Sequence, residues 1–333
     1  MSSLVPDIDI RAFYDGDAAA RRALAQAVDR ACRDVGFLVV SGHRVDPALL
    51  QRTLRQAEAF FDQDEALKRS AAPPDRRVRG YTPMGAQALA ASRGDATPPD
   101  LFERFRMGQP CDARRGATDP ANVWPLAPAG FRETLEACYA QLEALARDLM
   151  AIFALALDLP EHWFDATIDR HISSLCLNHY PAQQVPPLPG QLRSGAHTDY
   201  GSLTMVAPTP GPGGLEVLGA DGRWHAVTPP PGSFAVNIGD LMAQWTNDRW
   251  VSTLHRVANP PQGPEAMQRR IAIVFFHQPN ADAEIACLPN CHAADNPPRY
   301  APITSGEHLR TKIERAFAGR AEPQGAPPGL RQV

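Results

Sequence analysis

Two histidines and an aspartate in this sequence have the types and the spacing of a metal site. His197, Thr198 and Asp199 form a His-x-Asp motif, and His255 follows in a separate strand-like segment, 251–257. Alternate residues of a strand point to one face, so His197 and Asp199 can reach one ion while Thr198 points away. Segment 251–257 is rich in β-branched residues, so we expect His255 to supply a third ligand from another strand. Two imidazoles and one carboxylate on one side of Fe(II) leave positions open for a co-substrate and O2, which makes this a candidate iron site.

A second set of polar residues could hold an organic acid beside that ion. Arg270 begins the strand-like segment 270–276, and a buried arginine there would be costly unless it met a carboxylate in a bidentate pair. Asn178 and Tyr180 alternate along another strand-like segment, so both side chains could reach the same acid from one face. The alternative is a strand whose two polar residues face solvent. A His-x-Asp pair alone is also common on protein surfaces, so it is the neighbourhood that favours a catalytic site.

Several longer segments strengthen this interpretation. Together they resemble the 2-oxoglutarate- and Fe(II)-dependent oxygenases, in the branch that is similar to isopenicillin N synthase. The similar segments lie in both halves of the chain, at 8–10, 31–37, 41–43, 178–181, 195–204, 213–217, 221–224, 236–240, 245–247 and 252–257. The resemblance therefore covers nearly the whole chain.

The resemblance implies roles for individual residues. His197, Asp199 and His255 match the iron ligands of the family. Arg270 matches the partner of the distal carboxylate of 2-oxoglutarate. Two further residues match positions beside that co-substrate, namely Tyr180 and Asn178.

One position departs from the family pattern. The family usually has Arg-x-Ser, whereas Ala272 stands where the serine is expected. The missing hydroxyl removes one hydrogen bond to a charged carboxylate, a contribution of roughly 1 to 2 kcal/mol. Weaker binding of 2-oxoglutarate, a water molecule in place of the hydroxyl, or a different co-substrate are the alternatives.

The resemblance also implies a reaction. 2-Oxoglutarate would take two positions on iron and O2 the last, and the co-substrate would be converted to succinate and CO2 while a C–H bond of a small molecule is oxidised. Hydroxylation, desaturation, ring closure and demethylation would then differ mainly in how the substrate is placed. Two other classes of function stay open: an Fe(II) oxidase that uses O2 without 2-oxoglutarate, and a jelly-roll binding protein without catalysis.

Residues that contact the substrate are harder to predict. Arg193 precedes His197 by four positions and would share its strand face, where it could bind an anionic substrate or the co-substrate. The alternative is an arginine at the rim of the site, in solvent. By analogy with the layout of the family, four more residues could line the cavity, although residues of these types are more often packing or surface residues: Tyr81, Phe102, Arg104 and Phe276.

The patterning predicts a mainly β fold with flanking α-helices. Apolar residues recur at helical spacing in 18–32, 47–61 and 131–157, with a short strand at 35–40. From residue 172 onward, short strands are separated by Pro, Gly, Asn and Asp, and Asp221-Gly222 predicts a hairpin turn. We expect a double-stranded β-helix, a form of jelly roll, around a central cavity.

We expect one compact unit built from three segments: a mixed α/β region with supporting helices at 1–166, a catalytic core at 167–285 and a carboxyl-terminal extension at 286–333. The chain has 333 residues, a net charge of −4 and a pI near 6.2. These values predict no binding to nucleic acid or to an anionic membrane. No heptad stripe is apparent, so a monomer is the default expectation.

The sequence favours the cytoplasm. No run of about 18 apolar residues could span a bilayer, and no secretory signal is visible at the start. Six widely spaced cysteines suit reduced thiols better than a disulfide scaffold. Cys287, Cys291 and His292 could suggest zinc, but they lack a fourth ligand and the usual spacing.

Overall fold

A computed structural model describes residues 3–72, 79–94, 97–110, 121–207, 209 and 213–318 of the chain. Its α-helices are α1 (Arg11–Asp15), α2 (Ala18–Asp34), α3 (Pro47–Phe61), α4 (Glu65–Ser70), α5 (Phe131–Ala156), α6 (Asp165–Ile168), α7 (Asp240–Trp245) and α8 (Ser305–Ala318). Its strands are β1 (Asp7–Asp9), β2 (Phe37–Ser41), β3 (Gly80–Thr82), β4 (Glu103–Met107), β5 (Ser174–Tyr180), β6 (Ser194–His197), β7 (Leu203–Ala207), β8 (Leu215–Leu218), β9 (Trp224–Ala226), β10 (Phe234–Ile238), β11 (His255–Val257), β12 (Arg270–His277), β13 (Glu284–Ile285) and β14 (Ile303–Thr304). Short 3-10 helices cover Leu89–Arg93 and Pro289–Cys291.

Two sheets form the jelly-roll core that the sequence predicts. The larger sheet has the strand order β1-β2-β10-β7-β12-β5-β4-β3, and the smaller has the order β6-β11-β8-β9. The sheets pack against each other through a shared apolar cluster, in which Leu215 and Val217 of the smaller sheet contact Phe37, Val39 and Ala235 of the larger. The site described below lies between these two inner faces.

The larger sheet has a helix side and an inner side. Apolar residues of its central strands, including Leu177, Ile273 and Phe275, are buried in one core with residues of the long helix α5, including Leu142 and Leu149. Because strand side chains alternate, the residues between them point to the opposite, inner side. This alternation selects which polar residues reach the site.

The predicted helices are confirmed with small shifts at their ends. The helix predicted over 18–32 corresponds to α2, the one over 47–61 to α3 and the one over 131–157 to α5. Asp17 and Asp46 cap the first two, since each side chain accepts a hydrogen bond from a backbone N–H in the first turn. The Asp221-Gly222 hairpin is also confirmed: Gly222 has φ +73° between β8 and β9.

The strand predicted over 251–257 is shorter than expected. Only His255–Val257 forms a strand, β11. Upstream, the backbone N–H of Val251 donates to the Cys32 carbonyl, and the Thr253 hydroxyl donates to the Val35 carbonyl. These groups bind the carboxyl end of α2 instead of a neighbouring strand, so β-branched composition did not produce a strand there.

The first two predicted segments both contribute strands to the larger sheet. Strands β1 to β4 come from the first segment and hydrogen-bond into the same sheet as β5, β7, β10 and β12.

Among the helices of the described residues, none combines the length and the apolar character that a membrane crossing needs. The described cysteines, Cys32, Cys138, Cys176, Cys287 and Cys291, are free thiols; Cys111 lies outside the described residues.

Candidate metal centre and active site

The smaller sheet brings the two histidines of the predicted triad together. His197 ends β6, His255 begins β11, and the two are directly opposite in the antiparallel pairing. Asp199 follows two residues after His197, just beyond the strand. Nε2 of His197 lies 3.8 Å from Oδ1 of Asp199, and Nε2 of His255 lies 3.7 Å from Oδ2. These separations are too long for hydrogen bonds, and one ligand atom from each residue falls within 4.8 Å of the others.

Backbone carbonyls orient both imidazole rings. Nδ1 of His197 lies 2.7 Å from the Gly195 oxygen, and Nδ1 of His255 lies 3.1 Å from the Thr253 oxygen. A carbonyl oxygen can only accept, so each Nδ1 carries a proton, and in the neutral ring Nε2, which faces Asp199, is the nitrogen left to bind a metal ion. This is the tautomer that a metal ligand requires.

Buried neighbours fix the charge of the third ligand. Asn237 donates to Oδ2 of Asp199 at 2.7 Å, and Thr204 also hydrogen-bonds this carboxylate. Burial alone would raise the pKa of Asp199, but His255, His197 and these donors lower it below its usual value. Burial and the charge of His255 lower the pKa of His197 to about 4. Near neutral pH the site therefore presents neutral His197 and anionic Asp199, which fits Fe(II).

Asp240 connects the loops that carry the ligands. Its backbone N–H donates to the Asp199 carbonyl at 2.8 Å, and its carboxylate accepts from Thr198 at 3.3 Å and from Ser252 at 2.7 Å. Lys312 of α8 pairs with the same carboxylate at 2.7 Å. Asp240 was not among the predicted site residues, although it lies in the similar segment 236–240. Its role depends on contacts between distant segments, which spacing does not reveal.

The predicted co-substrate residues meet on the inner face of the larger sheet. Arg270 of β12 is opposite Tyr180 of β5, and Ala272 is opposite Asn178. Among the described residues, Nε of Arg270 is buried without a hydrogen-bond partner. Burial lowers the pKa of Arg270 and raises that of Tyr180. An unpaired buried guanidinium fits an incoming carboxylate, as 2-oxoglutarate would provide.

Arg193 does not lie at a solvent-exposed rim. Its side chain is fully buried, and Nη2 donates to the Gln268 carbonyl at 3.0 Å. Nε and Nη1 have no partner among the described residues, and the guanidinium lies 5.9 Å from the centre of the Tyr180 ring. The rim alternative is therefore wrong. Strand β6 begins only at Ser194, so Arg193 precedes the strand that carries His197.

Three of the four predicted cavity residues share this inner face. Phe102, Phe276 and Tyr180 belong to one cluster of contacts, and the Arg104 guanidinium lies 4.9 Å from the centre of the Phe102 ring. Arg104 also donates from Nε to Oδ1 of Asn178 at 2.9 Å. Contact of these residues with a substrate stays a prediction.

Tyr81 is on the opposite side of the sheet. In the β3–β4 pairing it is opposite Phe105, and both belong to the helix-side core. Its ring packs against Phe60, and its hydroxyl contacts Glu103 and lies 3.0 Å from Glu65. Strand alternation excludes Tyr81 from the inner face, which corrects the expectation that it lines the cavity.

Comparisons with known proteins agree with this geometry. A family model described as the non-haem dioxygenase in morphine synthesis N-terminal region matches residues 5–127, and one described as the 2OG-Fe(II) oxygenase superfamily matches residues 171–279. A 2-oxoglutarate-Fe(II) type oxidoreductase from Emericella nidulans is 33% identical over 95% of this chain and 91% of its own length. A homoarginine-6-hydroxylase from Oryza sativa is 31% identical over 95% of this chain and 96% of its own.

Solved structures show the same fold. A 2OG-Fe(II) oxygenase family protein from Caulobacter crescentus has a TM-score of 0.83 and 31% identity, covering 94% of this chain and 99% of its own. A full-length Neurospora crassa protein in complex with alpha-KG and thymine has a TM-score of 0.81 and 27% identity, covering 96% of this chain and 98% of its own.

Proposed function

The chain belongs to the 2OG-Fe(II) oxygenase superfamily, in the isopenicillin N synthase-like branch, and we propose that it oxidises a C–H bond of a small molecule. It is a 2-oxoglutarate- and Fe(II)-dependent oxidoreductase. The two alternatives, an oxidase without 2-oxoglutarate and a binding protein without catalysis, are therefore wrong. The oxidation would be hydroxylation, desaturation or a related reaction, with release of succinate and CO2.

The main support for this proposal is that three potential ligand atoms lie close together. Nε2 of His197, a carboxylate oxygen of Asp199 and Nε2 of His255 are the atoms that would hold Fe(II). Arg270 would bind the distal carboxylate of 2-oxoglutarate, with Tyr180 beside it. When bound together, Fe(II), 2-oxoglutarate and O2 supply the oxidation of the C–H bond.

Residues of the chain orient the metal ligands and would shield the reacting groups from water. The Gly195 and Thr253 carbonyls hold the imidazoles in the ligating tautomer, and Asn237 orients the carboxylate of Asp199. Phe102 and Val274 belong to a buried cluster on the inner face, and these apolar side chains would exclude water from a bound substrate. Orientation in a dry site would decide which substrate atom reacts.

A small-molecule substrate is consistent with the relatives. The Neurospora crassa structure contains thymine, and the rice relative is named for hydroxylation of homoarginine. We propose that this chain likewise acts on a small metabolite, and the arginines of its inner face favour an anionic one.

We also propose that three segments of the chain have different structural roles. Residues 167–285 would form the catalytic core, residues 1–166 would supply supporting strands and helices, and residues 286–333 would form an extension. The pairing of β4 with β5 and the ion pair of Lys312 with Asp240 support this assignment, since both connect a flanking segment to the core.

Succinate formation tests the proposed function. Purified enzyme with Fe(II), O2 and 2-oxoglutarate would be screened against small metabolites, with succinate and oxidised product quantified in parallel. We expect a substrate to stimulate succinate release with matching product, and both signals to disappear in His197→Ala and Arg270→Ala. Succinate release that is unchanged in these variants would contradict the proposed site.

A further inference from the structure

Four arginines meet on the inner face of the larger sheet and at its edge. They are Arg104 and Arg106 of β4, Arg270 of β12, and Arg193 just before β6. None of them forms an ion pair with a carboxylate of the described residues. Arg193 is fully buried and Arg104 is 6% exposed, so water cannot substitute fully for the missing anions.

Burial and neighbouring guanidinium groups both act on the charges of three of these arginines. Burial lowers the pKa of Arg104, Arg193 and Arg270. Repulsion by Arg106 adds to the shift of Arg104, and repulsion by Arg270 adds to the shift of Arg193. Asp100 is a carboxylate close enough to attract Arg104, but its oxygens accept backbone N–H groups from other segments at 2.8 Å. Burial raises the pKa of Asp100 to about 6, so near neutral pH it is mostly ionised and attracts Arg104 without forming an ion pair with it.

The arginines form two groups on the face. Arg193 and Arg270 are neighbours around Tyr180. Arg104 binds Asn178 through Nε, and Arg106 donates from Nε to Sγ of Cys176 at 3.2 Å.

2-Oxoglutarate accounts for only one of these groups. Of its two carboxylates, one would bind iron and the other would bind Arg270, with Arg193 close by. The metal centre is not a counter-ion for the other arginines either, because the two positive charges of Fe(II) exceed the single negative charge of Asp199. Neither 2-oxoglutarate nor a carboxylate of the described residues therefore forms an ion pair with Arg104 and Arg106.

We propose that Arg104 and Arg106 together bind a carboxylate of the substrate, which makes that substrate a small organic acid; this inference rests on the proposed function. Residues two apart on a strand lie about 6 to 7 Å apart on one face, so two guanidinium groups can converge on one carboxylate from both sides. Their terminal nitrogens have no hydrogen-bond partner among the described residues. They are available for such a ligand.

The neighbours of this pair indicate the rest of the substrate. The Arg106 guanidinium lies 5.7 Å from the centre of the Phe276 ring, and the Arg104 guanidinium lies beside Phe102. Val206 and Val274 pack in the same cluster. Arg104 is opposite Asn178 of β5, which in turn is opposite Ala272 of β12, two residues from Arg270. An acid with a compact apolar body would place its C–H bonds between the arginine pair and the metal ligands.

Matched acids and amides test the charge requirement directly. Enzyme loaded anaerobically with Fe(II) and 2-oxoglutarate would be titrated calorimetrically with phenylacetate, 3-phenylpropionate and hexanoate, and with the primary amide of each. We expect at least one acid to bind at least tenfold more tightly than its amide. In Arg106→Gln we expect that preference to fall at least tenfold, whereas the visible charge-transfer band of bound 2-oxoglutarate is retained. Arg132→Gln, on the exposed face of α5, is the matched control and should keep the preference.

The possible outcomes separate this inference from the proposed function. Equal binding of acids and amides, or no binding of either, by enzyme that shows the charge-transfer band would overturn the arginine site alone. An acid preference that survives in Arg106→Gln would overturn it as well. Failure of the wild-type enzyme to show the band would overturn the proposed function and this inference with it.

Thermal unfolding without ligand gives a second readout. We expect Arg106→Met to be at least as stable as the wild type, because it removes an unpaired charge next to Arg104. A purely structural role for Arg106 would instead give a lower Tm, and that result would count against a ligand site.

Discussion

Ala272→Ser restores the hydroxyl that the family pattern leads us to expect, and it should strengthen binding of 2-oxoglutarate. Ala272 is 4% exposed, lies two residues after Arg270 on β12 and is opposite Asn178 on β5. Its Cβ therefore points to the same inner face as the Arg270 side chain. The substitution adds one oxygen atom to that face and changes no charge.

The expected gain follows from one hydrogen bond to a charged acceptor. Such a bond contributes roughly 1 to 2 kcal/mol when its donor is already in place. Since about 1.4 kcal/mol corresponds to a tenfold change in affinity, the Kd for 2-oxoglutarate should fall about 5- to 30-fold. The gain would be smaller if the new hydroxyl displaced a water molecule that already serves the carboxylate.

Anaerobic titration of the Fe(II)-loaded protein with 2-oxoglutarate, followed by the visible charge-transfer band, measures this Kd. Ala235→Ser is the matched control, because Ala235 is also buried on the inner face but lies on β10. We expect no comparable gain there. An unchanged or higher Kd in a folded Ala272→Ser variant would refute the assignment of this position to the co-substrate carboxylate.

Three further changes test the supporting residues. Arg270→Gln should raise the Kd for 2-oxoglutarate about 100-fold or more in the same titration, since loss of a buried charged partner costs on the order of 3 kcal/mol; a small change would place the carboxylate elsewhere. Asn237→Ala removes the donor to Asp199 and should weaken Fe(II) binding about tenfold, as measured with a competing chelator; unchanged affinity would show that this contact does not orient the ligand. Gly239→Ala should lower both the Tm and the iron content, because the new Cβ would lie 2.2 Å from the Gly201 carbonyl oxygen; a normal Tm in calorimetry would contradict this.

Local patterns were sufficient to predict that His197, Asp199 and His255 lie together. Alternation along a strand placed His197 and Asp199 on one side, and a second strand-like segment supplied His255, although Asp199 lies just beyond β6 and only the last part of 251–257 is a strand. The ligands still converge, because the loop after β6 is held through the backbone N–H of Asp240.

Residues whose position depends on long-range pairing were harder to predict. Tyr81 and Arg104 both lie on short strands at one edge of the larger sheet, yet the β3–β4 register sends them to opposite faces. The burial of Arg193 depends on contacts with the segment before β12, including the Gln268 carbonyl. A single sequence does not contain the register or these tertiary contacts, so it assigned Tyr81 to the wrong face and left the environment of Arg193 undecided.

Equilibrium binding of Fe(II) under anaerobic conditions tests the central claim most directly. Wild-type protein, His255→Ala and the control His162→Ala would be compared, since His162 is exposed and pairs with Asp165 away from the metal ligands. We predict one Fe(II) per chain for the wild type and the control, a charge-transfer band on addition of 2-oxoglutarate, and loss of both in a folded His255→Ala variant. Stoichiometric iron binding with an unchanged band in His255→Ala would contradict the triad.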